Sequence, residues 1–232
     1  MITLALAGIN IGVDARYDFL KRLARDYLTD NEPDFTVSVS DGDIERERFN
    51  SEENFSDGYL ESIVAYRKIA EKLPEYDAFV LHGAVVGYSG GAYLFTAKSG
   101  TGKTTHTRLW MSEIGGDVHY LNGDKPIIRF VDGVPYAFGT PYRGKEGYGI
   151  NEHLPLESIA FLSRGEKNTA REVAPTEIDT FLATQVYMPN DPFAAIKTLK
   201  LIDRLTRSVR LVSLECNMDP EAARVAFGEM TK

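Results

Sequence analysis

One cysteine, Cys216, is all the thiol chemistry available to this chain of 232 residues. A single thiol excludes an intrachain disulfide and a thiolate metal cluster, so redox and structural zinc roles fall away. Basic charge is also scarce: 26 Lys and Arg stand against 34 Asp and Glu, a net charge of -8. Nucleic acid and anionic membranes are bound through a basic face, so neither is an expected partner, and any phosphate site has to be locally basic. Long apolar runs are missing too. The opening MITLALAGIN lacks a basic flank and is interrupted by Asn10 and Asp14, which excludes a signal segment or membrane span there and makes a cytoplasmic protein the expectation. No stretch is of low complexity, repeated at a fixed period, or rich enough in Gly, Pro or Ser to separate freely moving domains.

What is there is an ordinary globular composition, 43% hydrophobic and 26% charged. Residues 2–9 read as a strand, and ARYDFLKRLARDYL from Ala15 places Phe19, Leu20, Leu23, Tyr27 and Leu28 on one helical face. DFTVSVS follows as a strand, and GYLESIVAYRKIAEKL as a helix stopped before Pro74. The acidic stretch of residues 41–61 reads as a solvated surface. These elements predict a small N-terminal α/β subdomain over residues 1–76, with a second domain over 77–232.

From Asp77 the pattern turns to short apolar runs. AFVLHGAVVGY and AYLFTA flank a Ser89-Gly90-Gly91 turn and predict a hairpin, and Asp132-Gly133 marks a second turn between strands. LESIAFLSR and VRLVSLEC read as later strands, residues 176–206 as two helices parted by Pro189 and Pro192, and DPEAARVAFGEM as a helix with Asp219 as N-cap.

Between AYLFTA and the helical TTHTRLWMSEI lies AKSGTGKTT, residues 97–105. It meets the phosphate-loop pattern Gly, four residues, Gly-Lys-Ser/Thr, except that Ala97 replaces the first glycine. Gly100 and Gly102 let successive N–H groups converge on phosphate oxygens, with Ser99 and Thr101 completing the loop and the following helix adding its positive N-terminus. Lys103 supplies a mobile charge for the β and γ oxygens. The Thr104 hydroxyl is placed to ligate Mg2+, and Thr105 to bond an α-phosphate oxygen or cap the helix. Magnesium-ATP is therefore the expected ligand. Asp124, after the apolar VHYL, is the candidate second acid for the metal; the lesser alternative is a turn residue before Lys125-Pro126. His106, one turn from Trp110, reads as a packing residue, and Cys216 as a buried strand thiol.

SGTGKTT resembles the loop of ATP-dependent phosphoenolpyruvate carboxykinases, and His82-Gly83 before it resembles the HPr kinase/phosphorylase catalytic domain. Kinase-like proteins related to HPr kinase carry the same set: His82-Gly83, Ser99 to Lys103, Asn122 to Asp124, and GTPYRGK from Gly139. The resemblance is strongest over residues 79–143, weaker to Cys216, and does not extend to residues 1–76. It implies an α/β fold with the mixed β-sheet phosphate-loop core of that superfamily. It also implies His82 near the γ-phosphate as a proton relay and a capacity for homo-oligomers. In TPYRGKEGYGIN itself, Arg143 and Lys145 flank Gly144 and read either as a clamp on a transferring phosphoryl group or acidic acceptor or, equally, as a solvated surface loop. Two departures stand out. The family has two adjacent acids where this chain reads Gly123-Asp124, and an acid two positions before the arginine where this chain has Pro141. Two functions stay open: a kinase that transfers the γ-phosphate to a hydroxyl acceptor, serine by resemblance, on a protein, peptide or metabolite; and a nucleotide-binding sensor or assembly factor with little or no turnover.

Overall fold

A computed structural model describes residues 1–51 and 53–232; Glu52, within the acidic stretch, lies outside the described residues. The described residues are mixed α/β and build two sheets. The first has the order β3-β1-β2-β4, from β1 (Ile2–Leu6), β2 (Ile9–Asp14), β3 (Leu28–Thr29) and β4 (Phe35–Ser38). Its opening differs from the expected single strand. Ala7 and Gly8 both take positive φ, 52° and 70°, and close a two-residue hairpin, with the Ala7 carbonyl accepting a 2.6 Å bond from Arg129. Ala-Gly lacks the Asn-Gly or Asp-Gly signal of such turns, so the hairpin is set by tertiary contact.

The expected helix from Ala15 is also shorter. Helix α1 spans Asp18–Leu23, after which a 3₁₀ turn at Arg25–Tyr27 drives Tyr27 into the core, its hydroxyl donating to the Ile150 carbonyl at 3.1 Å. Helices α2 (Asp41–Phe49) and α3 (Asp57–Lys72) follow. The acidic stretch is not simply solvated. Glu47 and Glu61 are buried; Glu47 pairs with Arg67, and Glu61 accepts the backbone N–H groups of Arg16 and Tyr17 at 2.8 and 3.1 Å. A carboxylate buried this deeply persists because backbone donors satisfy it, and here it fixes the start of α1 against α3.

The second sheet runs β5-β9-β10-β11-β7-β6-β8, with β13 beside β11 and β12 beside β13. Its strands are β5 (Ala78–Val80), β6 (Ala84–Tyr88), β7 (Gly91–Thr96), β8 (His119–Asn122), β9 (Ile127–Val131), β10 (Val134–Phe138), β11 (His153–Arg164), β12 (Thr169–Glu172) and β13 (Arg210–Cys216). Strands β7, β11 and β13 are parallel. Every residue of β7 is buried because both faces of the sheet are covered. One face packs on α4 (Lys103–Glu113) and α7 (Glu221–Met230) through Trp110, Phe95 and Ala223; the other packs on α5 (Pro175–Gln185) and α6 (Pro192–Thr206) through Leu94, Leu182 and Leu205. Helix α7 begins one residue later than Asp219 implies, with Pro220 in the cap position. A third apolar cluster joins the first sheet, α1 and α3 to Val80, Ile127 and Phe138 of the second sheet. No described helix is long and apolar enough to cross a membrane.

Candidate functional site

Strand register gathers the motifs. Ala84 pairs with Phe95 and Val85 with Asn122, while Thr96 pairs with Phe161. His82-Gly83 enters β6, the loop leaves β7 and Gly123-Asp124 leaves β8 at one end of the sheet. That is the carboxyl end of the parallel strands, where open α/β sheets bind ligands.

Within the loop, Gly100 and Gly102 take φ of +75° and +126°, and a β-carbon on either would meet nothing within 4 Å, so the requirement for glycine is conformational. Ala97 is fully buried beside Phe95 and Trp110, so its methyl group points into the core and leaves the cleft open. Gly102 caps α4 without a side-chain acceptor, and the first turn of α4 carries no acidic residue, so the leading N–H groups have neither an intrahelical partner nor a competing carboxylate. Arg164, at the end of β11, holds the loop from behind, donating to the carbonyls of Gly100 and Thr101, the latter at 3.1 Å. The Thr101 hydroxyl donates to the Lys98 carbonyl at 2.8 Å. Lys103 Nζ donates to the Ala97 carbonyl at 3.0 Å; burial lowers its pKa and the Asp124 carboxylate opposes that.

Asp124 is held by a buried clamp. Asn122, fully buried, accepts through Oδ1 from the N–H groups of Asp124 and Lys125 at 3.0 and 2.8 Å, and donates through Nδ2 to the carbonyl and hydroxyl oxygens of Thr140. The Asp124 carbonyl takes the N–H of Gly83 at 2.9 Å, which sets the carboxylate beside His82. His82 Nε2 lies 3.5 Å from Asp124 Oδ1, and Nδ1 lies 3.2 Å from Gln185 Oε1. Burial lowers the His82 pKa, Lys103 lowers it further, and Asp124 and Gln185 pull it back up. Both ring nitrogens thus face an oxygen acceptor, Nδ1 the Gln185 amide and Nε2 the Asp124 carboxylate.

Arg143 lines the same cleft but leans toward the first sheet's elements: Nη2 is 3.4 Å from Asp26 Oδ2, and the guanidinium sits 5.6 Å from the Tyr27 ring centroid. The backbone of its loop explains Gly123. A β-carbon there would stand 2.7 Å from the Arg143 carbonyl oxygen and 3.1 Å from that of Tyr148, so no second acid can occupy the position without moving the loop. Pro141 also faces the cleft, leaving that position without a carboxylate.

Ser99, Gly100, Gly102, Lys103, Thr104, Thr105, His82, Asp124 and Arg143 thus line one cleft of about 1010 Å³, and Thr101 alone of the expected residues turns away from it. No known family model and no curated protein matches this chain. Among solved structures it is similar to the HPr(Ser) kinase/phosphatase from Coxiella burnetii, at 7% identity and a TM-score of 0.36 over 64% of this chain and 94% of that one. The likeness is distant, and function has to be read from the residues of the cleft.

The hard oxygen donors there, the Thr104 hydroxyl and the Asp124 carboxylate, suit magnesium, which takes one or two protein oxygens and fills its remaining positions with phosphate and water. Among the described residues no three His, Cys, Asp or Glu side chains group as a metal site of their own. His106 belongs to the core: its ring packs tilted on Phe95 with centroids 4.9 Å apart, and burial drops its pKa to about 4. Its Nδ1 lies 3.8 Å from Cys216 Sγ, whose pKa burial raises to about 11, so both groups are neutral and form no thiolate pair. Gln185, Arg164 and the Thr140 partner of Asn122 were invisible as site residues in the sequence. Gln185 lies at the end of α5 and reaches His82 only because the Gln185 carbonyl accepts the His82 N–H at 2.7 Å and Val186 bridges Leu81.

Proposed function

We propose that the chain binds magnesium-ATP on the loop Ala97–Thr105 and transfers the γ-phosphate to a hydroxyl acceptor. The observation that carries this reading is the convergence, in one cleft, of a glycine loop with free helix-terminal donors, Lys103, the His82–Asp124 pair and Arg143. Lys103 and the leading N–H groups of α4 hold the triphosphate, Lys103 exchanging its Ala97 contact for phosphate oxygens. Thr104 and Asp124 would hold magnesium, which when bound offsets the charge on those oxygens. His82 and Asp124, two acceptors sharing one proton, take the proton of the acceptor hydroxyl at Nε2, and Arg143 meets charge developing on the transferred group.

A second reading, a nucleotide-binding sensor with slow or no turnover, draws on Gly123, where loop carbonyls fill the space of a second acid. Calorimetry of magnesium-ATP binding followed by single-turnover analysis separates the two. Turnover stimulated by a hydroxyl acceptor is expected; tight binding without phosphate transfer favours the sensor. Lys103→Ala is expected to abolish binding under both, and unchanged ATP affinity in that variant removes the phosphate-loop reading.

A further inference from the structure

The cleft does not end at the phosphate loop. Its far wall is built by two same-face pairs at helical spacing, Phe19 and Leu23 on α1 and Tyr59 and Ile63 on α3, with Phe55 completing the wall just before α3. The rings pack on one another, Phe19 to Tyr59 at 5.7 Å edge to face and Phe55 to Tyr59 at 4.5 Å. Other apolar residues of these helices, Leu20, Leu60 and Ile69, are fully buried, whereas the five cleft residues are only half-buried. The wall is rigidly placed. Glu61 ties the start of α1 to α3, and Gly58 lets the helices approach so closely that a β-carbon there would stand 2.8 Å from Phe19 Cβ. It also faces the chemistry, lining the same cleft as His82, Lys103 and Asp124. A cleft of about 1010 Å³ has room for more than a triphosphate, since ligand pockets span roughly 300–1,000 Å³.

We infer that this wall is the acceptor subsite, and that the acceptor is a hydroxyl carried on an apolar body of about the size of an aromatic ring. The inference rests on the proposed phosphotransfer and names its substrate class. In the transfer, the acceptor oxygen forms a bond to the γ-phosphorus as the bond from that phosphorus to the β,γ-bridging oxygen breaks. The hydroxyl proton passes to the His82–Asp124 pair, and ADP leaves. The apolar body can belong to a free small molecule or to the residues flanking a serine in a peptide.

The test measures ADP formation at saturating magnesium-ATP with two matched pairs: ethanol against 2-phenylethanol, and acetyl-Ala-Ser-Ala-amide against acetyl-Phe-Ser-Phe-amide. The apolar member of at least one pair is expected to have a KM lower by about tenfold or more, from the area it buries; whichever pair shows it identifies the source. Binding is read independently of turnover by displacement of 1-anilinonaphthalene-8-sulfonate with 2-phenylethanol and with the Phe-Ser-Phe peptide. Ile63→Glu is expected to raise the KM of the favoured compound at least tenfold and to abolish displacement, and the milder Ile63→Thr, which keeps the branched shape, to do so partially. If ATP binds but both pairs show equal KM and neither ligand displaces the dye, the subsite is overturned and the nucleotide reading stands. If ATP does not bind while displacement persists and responds to Ile63→Glu, the phosphotransfer reading falls and the apolar subsite stands as a ligand site.

Discussion

His82 stands between two acceptors, with Nε2 3.5 Å from Asp124 Oδ1 and Nδ1 3.2 Å from Gln185 Oε1, while Lys103 opposes its protonation through space. The imidazole is therefore biased toward its neutral form by burial and Lys103, and partly restored by its two neighbours. NMR titration of the ring should give a pKa below the ordinary 6.5. Gln185→Leu removes a bond that favours the cation and should lower the pKa further; Lys103→Ala removes a like charge and should raise it. A proton-relay role adds a kinetic signature, because the acid limb of turnover should move to lower pH in Gln185→Leu. A ring pKa that ignores both substitutions would show that neither neighbour governs His82.

The contact between the Gly123 position and the Arg143 carbonyl predicts that Gly123→Ala costs about 1–3 kcal/mol, because backbone, unlike a flexible side chain, cannot swing aside. Urea unfolding measures this directly. Gly123→Asp, which supplies the acid the resemblance calls for, should destabilise at least as much and should not raise turnover. A stable, faster Gly123→Asp variant would mean the loop of residues 143–148 yields easily.

Asn122 is the pivot of the acidic turn. Asn122→Ala strands the Asp124 N–H in a buried setting and takes one bond each from the Lys125 N–H and the Thr140 oxygens, which keep Tyr142, Lys125 and Arg143 as partners, a loss of about 1–3 kcal/mol. Turnover should fall more than ATP affinity, since the Asp124 carboxylate loses its aim while the loop is untouched. Equal losses in both would place Asn122 in general stability alone.

His106 makes stability depend on pH. Its folded pKa of about 4 lies below the ordinary 6.5, so the unfolded chain binds the extra proton between those values, and stability falls as pH drops through that window. Between pH 7 and 4.5 the loss from this group should be about 2 kcal/mol. His106→Leu should remove that part of the pH dependence, read as the difference in urea midpoints between wild type and variant at the two pH values. Identical pH profiles would mean the ring is solvated when the chain is folded.

Local chemistry made much of this molecule legible. Val85 to Tyr88 and Ala92 to Thr96 announce a hairpin by their apolar runs around Ser89-Gly90, and Gly100 and Gly102 announce the tight turn between β7 and α4 because few other residues accept those backbone angles. The packing roles of His106 and Cys216 were equally readable from their place on a helix and a strand. Elsewhere local pattern misled. Ala7-Gly8 turns because Arg129, far along the chain, binds its carbonyl, and Glu61 leaves the solvent because two backbone N–H groups across α1 satisfy it.

By itself, then, the sequence determined the glycine loop, the strand and helix that flank it and the acids and bases available, because periodicity and turn chemistry act over a few neighbouring residues. Only the tertiary structure decided which of them meet. Register brought Asp124 and His82 to one end of the sheet, a short antiparallel contact delivered Gln185 to the ring, a loop carbonyl closed Gly123 to a second acid, and α1 and α3 supplied a far apolar wall. Such meetings depend on contacts between residues distant in the chain, which no local pattern encodes.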